Sequence, residues 1–104
     1  MGDTLGILVC SGAHMDYVLN LVLAARARKK RVDIFFTGKG TLLAARPEFR
    51  ELEGNARIMI CEQSFLHYGL SAHGKNVPES VSDYFATQAA HADMISRADR
   101  YVVF

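Results

Sequence analysis

Cys61 is the residue whose type and position offer the clearest chemistry in this chain. It follows the apolar run 58–60 and precedes residues 62–70, whose pattern predicts a short helix ending near a glycine. A helix leaves its first amide hydrogens without partners, and such donors favour a thiolate over a thiol. Cys61 is therefore predicted to be a sulfur nucleophile beside the amides of Gln63 and Ser64.

Two considerations favour a structural role for Cys61 instead. Free cysteine is among the most buried residue types and often packs as a small hydrophobe. The neighbouring carboxylate of Glu62 also disfavours a second negative charge. A buried structural thiol is thus the alternative to a reactive one.

The first apolar run of the chain ends in further candidate site residues. In open parallel sheets, ligands bind outside the carboxyl ends of the strands. This run ends in Cys10, Ser11 and Gly12, and His14 follows shortly after. These residues are predicted to line the same edge of a sheet as Cys61.

The second apolar run ends at a glycine-rich turn. Gly38 and Gly40 flank Lys39, and such a turn presents backbone donors to an anion. The phosphate-loop motif G-x-x-x-x-G-K-[ST] is absent, because Lys39 is followed by glycine and no glycine lies five positions before Gly38. We expect a turn that accommodates an anion and no nucleotide site.

Cys10 has two conceivable relations to Cys61. If the first and third strands are neighbours, as in the flavodoxin-like order, both thiols lie at one edge. Cys10 then either forms a disulfide that resolves a persulfide or sulfenate on Cys61, or takes no part. We favour the second alternative, because Cys10 is the last residue of its run and is expected to be buried.

The four histidines show no metal-binding spacing. His67 and His73 are six residues apart, and not the three or four that share a helix face. His14 and His67 are expected near the edge of Cys61, where a protonated imidazole would lower the pKa of the thiol. His91 is expected on the surface, and neither a metal site nor an organic cofactor is predicted.

The strands that position these residues are predicted from four continuous apolar runs. Such runs fit strands that are covered on both faces. The runs are 5–10, 32–36, 58–60 and 101–104. They predict a three-layer, flavodoxin-like α/β fold, with a mostly parallel sheet of four or five strands and helices on both faces.

The first helix is predicted over residues 14–30, from the helical spacing of its apolar side chains. Leu19 and Leu23 lie off the main apolar stripe. The extra width indicates either a subunit contact or a broad helix packed on a broad sheet.

Predictions for the remaining segments follow from helix-breaking and turn-forming residues. A short helix is expected over 41–45, followed by a polar connection over 47–55. The turn-rich segment after residue 70 is expected to cover the site with residues 73–78. A last helix is predicted over 82–98, with its cap at Ser82 or Asp83. Its apolar side chains are expected to face the sheet, namely Tyr84, Phe85, Ala89, Ala92 and Ile95.

Composition excludes several classes of protein. The 104 residues predict one domain over 1–104, and the formal charge of +1 favours neither nucleic acid nor anionic lipid as a partner. Two cysteines are too few for a disulfide scaffold, and a reducing cytoplasm is the expected location. No run is long enough to span a membrane.

The order and spacing of several segments resemble the DsrE/DsrF-like family over nearly the whole chain. The segments are the strand and turn at 34–40, the thiol after the third strand with Gly69 and Leu70 beyond it, and the closing residues 98–104. The resemblance implies a flavodoxin-like α/β domain that assembles as trimers or hexamers, in cytoplasmic proteins linked to sulfur metabolism. Lys39 departs from the acidic residue that members often have between the glycines, and the segment after Leu70 is short.

The resemblance also implies a mechanism. In active members, a cysteine in the loop after the third strand accepts sulfane sulfur as a persulfide and passes it to a partner protein, and Cys61 matches that position. The expected function is thus that of a sulfur carrier or sulfurtransferase, with donor and acceptor proteins or a small persulfide as partners. The alternatives are a non-catalytic oligomeric interaction or regulatory subunit with a structural cysteine, and a small domain that binds an anion or another small ligand.

Overall fold

A five-stranded, all-parallel sheet forms the centre of the molecule. A computed structural model describes residues 3–104 of the chain. The strands are β1 (Thr4–Val9), β2 (Arg31–Phe36), β3 (Arg57–Cys61), β4 (Phe85–Ala86) and β5 (Arg100–Val103), in the order β4-β3-β2-β1-β5. The predicted α/β fold class is confirmed, and the four predicted runs correspond to all strands except β4.

Over residues 3–104, three α-helices and three 3-10 helices connect the strands. The α-helices are α1 (Met15–Ala27), α2 (Glu62–His67) and α3 (Gln88–Arg97), and the 3-10 helices span Gly38–Ala45, Pro47–Glu51 and Val81–Tyr84. Among residues 3–104, no helix has the length and apolar character that crossing a membrane requires.

The direction of the connections places helices on both faces of the sheet. The chain steps from β1 to β4 in one direction, whereas α3 carries it back across the sheet to β5. Because parallel crossovers are right-handed, this reversal puts α3 on the face opposite to the other helices. One large apolar cluster, which includes Val18, Phe49 and Phe65, fills the first face. A smaller cluster under α3 contains Phe35 and Met94.

The alternation of side chains along β3 assigns each residue to one of these clusters. Ile58 and Ile60 belong to the large cluster, whereas Met59 and Cys61 belong to the small one. Successive side chains of a strand point to opposite faces, so this division follows directly from the sequence spacing. Cys61 therefore lies on the face that α3 covers.

The segment predicted as one last helix, 82–98, is divided in the structure. Tyr84 ends a 3-10 helix, Phe85 and Ala86 form β4 beside β3, and α3 begins only after Thr87. The predicted cap at Ser82 or Asp83 is therefore wrong. Residues 85–86 pair with the end of β3, and this pairing is a long-range interaction that no local helical pattern reveals.

The inward face of α3 also differs from the expected one. Met94 is fully buried and Ala90 packs beside it, whereas Ile95 is 43% exposed. The expectation that Ala89, Ala92 and Ile95 face the sheet is wrong, since all three are exposed.

The connection between β2 and β3 is more ordered than its polar sequence indicates. The first 3-10 helix ends before Pro47, near the predicted end of a short helix. The following segment, predicted as a polar connection, contains a second 3-10 helix whose Phe49 is fully buried, and Leu52 beyond it is also fully buried. These two side chains anchor the connection to the large cluster.

Candidate functional site

Three residues form a row where the first three strands end. The strand register places Cys10, Thr37 and Cys61 side by side, one position beyond the last residue pairs that join β1 to β2 and β2 to β3. The amide of Thr37 continues this ladder, since it donates to the carbonyl of Val9 at 3.0 Å. The row lies at the carboxyl edge of the sheet, where ligands bind in open parallel sheets.

Cys61 lies at the border between the interior and the surface. Cys61 is 9% exposed, and it belongs to the small apolar cluster with Phe35, Met59 and Met94. The thiol is thus surrounded by apolar side chains on its inner side. Its position at the end of β3, directly before α2, leaves its outer side next to polar groups.

Four groups oppose the effect of this burial. Burial raises the pKa of Cys61, but the Ser64 hydroxyl and amide, the Thr37 hydroxyl and the Gln63 amide interact with the sulfur and bring the pKa below its ordinary value. The Cys61 side chain makes no capping hydrogen bond to the amides of α2, which fits the weak acceptor character of sulfur. Glu62 is exposed and is not among the main causes of the shift.

Ser64 connects the thiol to the glycine-rich turn. Its Oγ accepts a hydrogen bond from the amide of Gly38 at 2.9 Å. The buried hydroxyl of Thr41 donates to the carbonyl of Gly38 at 2.8 Å. The first bond joins the turn after β2 to the first turn of α2, so it holds Thr37 and Ser64, which both interact with Cys61, in a fixed relation.

The glycines of this edge permit close backbone contacts. A Cβ at Gly40 would lie 2.1 Å from the carbonyl oxygen of Val9, and one at Gly12 would lie 3.1 Å from the carbonyl oxygen of Lys39. Gly38 has a φ of +54°, a conformation that L side chains rarely adopt. The loop after β1, with Ser11, therefore packs against the turn after β2 and not directly against Cys61.

Cys10 differs from its expected state. It follows β1 and is exposed, so the expectation that it is buried is wrong. The first and third strands are also not neighbours, because β2 lies between them. Two strand spacings separate Cys10 from Cys61 by about 10 Å, whereas a disulfide requires Cα atoms within about 7 Å. The geometry therefore does not fit the resolving disulfide.

The two histidines expected beside the thiol have other neighbours. The ring centroid of His14 lies 5.9 Å from that of Tyr17 and 6.4 Å from that of Phe104, which places it near β5. His67 packs edge-on against Tyr68 at 4.9 Å. Neither imidazole is among the main causes of the Cys61 pKa shift.

His91 is half-buried, so it lies at the surface as expected but also packs against the sheet. Its ring lies 5.0 Å from that of Phe35, and its Nε2 lies 3.0 Å from the hydroxyl of Tyr101. Burial raises the pKa of Tyr101, and the charge of Cys10 raises it further. Sequence analysis missed both residues, because only the position of α3 over the sheet brings them together.

Thr37 was also missed as a neighbour of the thiol, although a sequence signal existed. It directly follows the second apolar run, as Cys61 follows the third. Equivalent positions after adjacent parallel strands lie side by side. Consecutive strands are usually neighbours in a sheet, and this rule applied to β2 and β3 would have predicted the pair.

The segment after α2 does not extend over Cys61. Val77 is buried in the large apolar cluster, on the opposite face of the sheet. The hydroxyl of Ser80 donates to Glu53 at 2.9 Å, and the hydroxyl of Tyr84 donates to the same carboxylate oxygen. The expectation that residues 73–78 cover the site is therefore wrong.

Among residues 3–104, no group of three histidine, cysteine or carboxylate side chains is arranged to hold a metal ion. The chemistry available at this edge is that of a thiol with hydrogen-bond donors around it. No match to the chain was found among curated proteins. The sequence model of the DsrE/DsrF-like family matches residues 5–104, so the chain belongs to the DsrE/DsrF-like family.

Proposed function

We propose that the protein is a sulfur carrier that accepts sulfane sulfur on Cys61 and passes it to a partner thiol. One observation carries the proposal: the pKa of Cys61 is lowered, against the effect of burial, by donors from Thr37, Gln63 and Ser64. The thiolate is the reactive form of cysteine. Membership in a family of sulfur-relay proteins supports the same assignment.

The transfer needs no external oxidant. The Cys61 thiolate attacks the outer sulfur of a donor persulfide, so a new S–S bond forms at Cys61 while the donor S–S bond breaks and the donor leaves as a thiolate. An acceptor thiolate then attacks the outer sulfur held on Cys61. That step releases the Cys61 thiolate, and the number of disulfide-type bonds stays constant throughout.

The donors around Cys61 have a defined part in both steps. They stabilise the thiolate that attacks in the first step and the thiolate that leaves in the second. Ser64 is held by the Gly38 amide, so its position does not depend on the sulfur. Ser11 and Gly12 line the neighbouring part of the edge, and Gly38 and Gly40 shape the turn between.

The proposal includes a cellular context and an assembly. We place the protein in the reducing cytoplasm, as one domain that forms a homo-oligomer, a trimer or hexamer. Exposed apolar side chains support an assembly, since Tyr17 is 63% exposed, Leu23 40% and Val103 57%. Light scattering at several concentrations measures the oligomeric state, and a monomer throughout contradicts this part of the proposal.

The experiment for sulfur transfer compares two variants, each of which lacks one cysteine and keeps the other. Each single variant, Cys10→Ala and Cys61→Ala, is incubated with a polysulfide donor and measured by intact mass. We expect Cys10→Ala to gain one sulfur atom, which dithiothreitol and an acceptor thiol both remove. Equal gain by Cys61→Ala, or no gain by Cys10→Ala, contradicts the carrier role of Cys61.

A structural thiol in a non-catalytic subunit is the second candidate function. The low exposure of Cys61 and its contacts with Met59 and Met94 favour it. The two functions differ in the reactivity of Cys61 at neutral pH. The rate of alkylation of Cys61 is measured in the Cys10→Ala variant at pH 6 to 7. A rate no higher than that of a thiol with a pKa of about 8.5 supports the structural role and contradicts the carrier role.

A further inference from the structure

A cleft opens at the edge of the sheet where the strands begin, opposite to the edge with Cys61. Its volume is about 820 Å³, within the range of small-molecule sites. Arg57, which lines the cleft, begins β3, whereas Cys61 ends it. About 13 Å of strand separates their Cα atoms, so the cleft is distinct from the site of the proposed sulfur transfer.

Four arginines from four different elements line this cleft. Arg26 lies in the last turn of α1, Arg31 begins β2, Arg57 begins β3 and Arg97 ends α3. Asp33 is the single carboxylate that the structure, over residues 3–104, places in the lining. The lining therefore has an excess of positive charge.

The chain neutralises only part of this charge. Arg57 Nε lies 3.4 Å from Asp33 Oδ1, and Arg97 Nε lies 3.2 Å from Asp93 Oδ2. The Arg31 side chain forms no ion pair with any of residues 3–104. Each guanidinium has five N–H donors, and one ion pair uses only some of them. Donors thus remain for a ligand.

Helix termini explain two of these arginines and not the others. Arg26 and Arg97 lie in the last turns of helices, where cations are favoured. Arg31 and Arg57 begin strands, so no helix terminus accounts for them. Asp33 pairs with Arg57, whereas within residues 3–104 no ion pair accounts for Arg31 at this cleft.

The basic residues of the whole chain show the same asymmetry. Of the twelve Lys and Arg residues, only Lys39, Arg46, Arg50 and Lys75 lie outside the edge where the strands begin and its adjoining turns. The formal charge of the chain is only +1. Five carboxylates lie at the same edge, so its eight basic residues leave a local excess of three positive charges, which favours an anion in the cleft; the carboxylates are Asp3, Asp33, Glu53, Asp93 and Asp99.

The geometry points to a binding site for a small molecule that carries a phosphate or pyrophosphate group. Guanidinium groups bind phosphate oxygens in bidentate pairs, with a fixed fork of donors. Thr4 and Asn55 also line the cleft and add neutral polar groups for the rest of the ligand. A concave cleft favours a small ligand, whereas a single nucleic acid strand needs a long groove with aromatic platforms.

The test is a calorimetric titration of the whole protein with pyrophosphate. Arg31→Gln and Arg97→Gln each remove one guanidinium, and each is expected to weaken binding about tenfold. Lys75→Gln removes the same charge from an exposed loop position outside the cleft, and it is expected to bind as the wild type does. Amide chemical shifts are expected to change at residues 31–33 and 54–57.

Four results would overturn the site. They are no binding by the wild type, equal weakening by Lys75→Gln, shift changes spread over the whole surface, and tighter binding of a single-stranded oligonucleotide than of pyrophosphate. Cys61→Ala is expected to bind pyrophosphate unchanged. A failed sulfur transfer and a failed anion site are thus separate results.

Discussion

Cys10 and Cys61 lie at the same edge of the sheet, and β2 separates them. The two thiols also differ in environment, since Cys10 is exposed and Cys61 is buried against an apolar cluster. The separation of about 10 Å exceeds the reach of a disulfide. The two cysteines are therefore expected to react as independent groups.

Peroxide treatment is expected to produce no disulfide between Cys10 and Cys61 within one chain. The strand between them prevents the required approach without loss of the sheet. Digestion and mass spectrometry without reduction measure the crosslink. A crosslinked peptide pair from a protein that remains a monomer in denaturant contradicts the strand order.

Ser64→Ala and Thr37→Val are each expected to raise the pKa of the Cys61 thiol, because each removes a hydroxyl that stabilises the thiolate. The pH profile of alkylation then moves to higher pH, and the rate at neutral pH falls. The ultraviolet absorbance of the thiolate during a pH titration measures the shift, in a Cys10→Ala background.

The matched control for these variants is Ser96→Ala. The Ser96 hydroxyl donates to the Asp93 carbonyl on an exposed part of α3, so its loss leaves the Cys61 titration unchanged. Ser64→Ala also loses the acceptor of the Gly38 amide, and we expect a cost of about 1 kcal/mol in the free energy of unfolding. If Ser64→Ala and Thr37→Val both leave the Cys61 titration unchanged, the two hydroxyls are not the cause of the lowered pKa of Cys61.

Gly40→Ala is expected to lower the free energy of unfolding by about 3 kcal/mol or more. The new methyl group would lie 2.1 Å from the carbonyl oxygen of Val9, and two backbones cannot separate there without loss of packing. Gly54→Ala is the control, since its Cβ meets no atom within 4 Å although its φ is +84°. That backbone conformation costs about 1 to 2 kcal/mol for a residue with a side chain.

Urea unfolding measures both variants. Equal stability of Gly40→Ala and Gly54→Ala would show that the turn after β2 adjusts freely. Such freedom would also remove the argument that the turn holds Thr37 beside Cys61.

Tyr84→Phe is expected to lower the free energy of unfolding at neutral pH. It is also expected to make the free energy of unfolding less dependent on pH in the alkaline range. Burial raises the pKa of Tyr84, and its hydrogen bond to Glu53 raises it further. A raised folded-state pKa contributes stability that is fully present below the unfolded pKa, about 10. That contribution disappears as the pH rises through the folded value.

Urea unfolding between neutral pH and pH 11 measures the contribution of Tyr84. We expect a difference of about 1 kcal/mol from the wild type at neutral pH, which declines in the alkaline range. Tyr17→Phe is the control, because the Tyr17 side chain is exposed. A pH-independent difference for Tyr84→Phe contradicts the role of its ionisation.

The sequence by itself determined the elements that have a strong local signal. The helical period of residues 14–30 and the continuous apolar runs predicted α1 and β1, β2, β3 and β5, because burial of a face imposes a repeat on the sequence. The same reasoning predicted that Cys61 ends a strand where a helix begins. The position of Cys61 beside the amides of Gln63 and Ser64 follows from that junction alone.

Only the tertiary structure decided which strands are neighbours. Residues 85–86 form β4 because they pair with Ile60 and Cys61, and a two-residue strand has no periodicity to recognise. The order of the strands separates Cys10 from Cys61, places Thr37 beside the thiol, and brings His91 to Tyr101. These contacts depend on pairing between distant segments, whose energy no local pattern records.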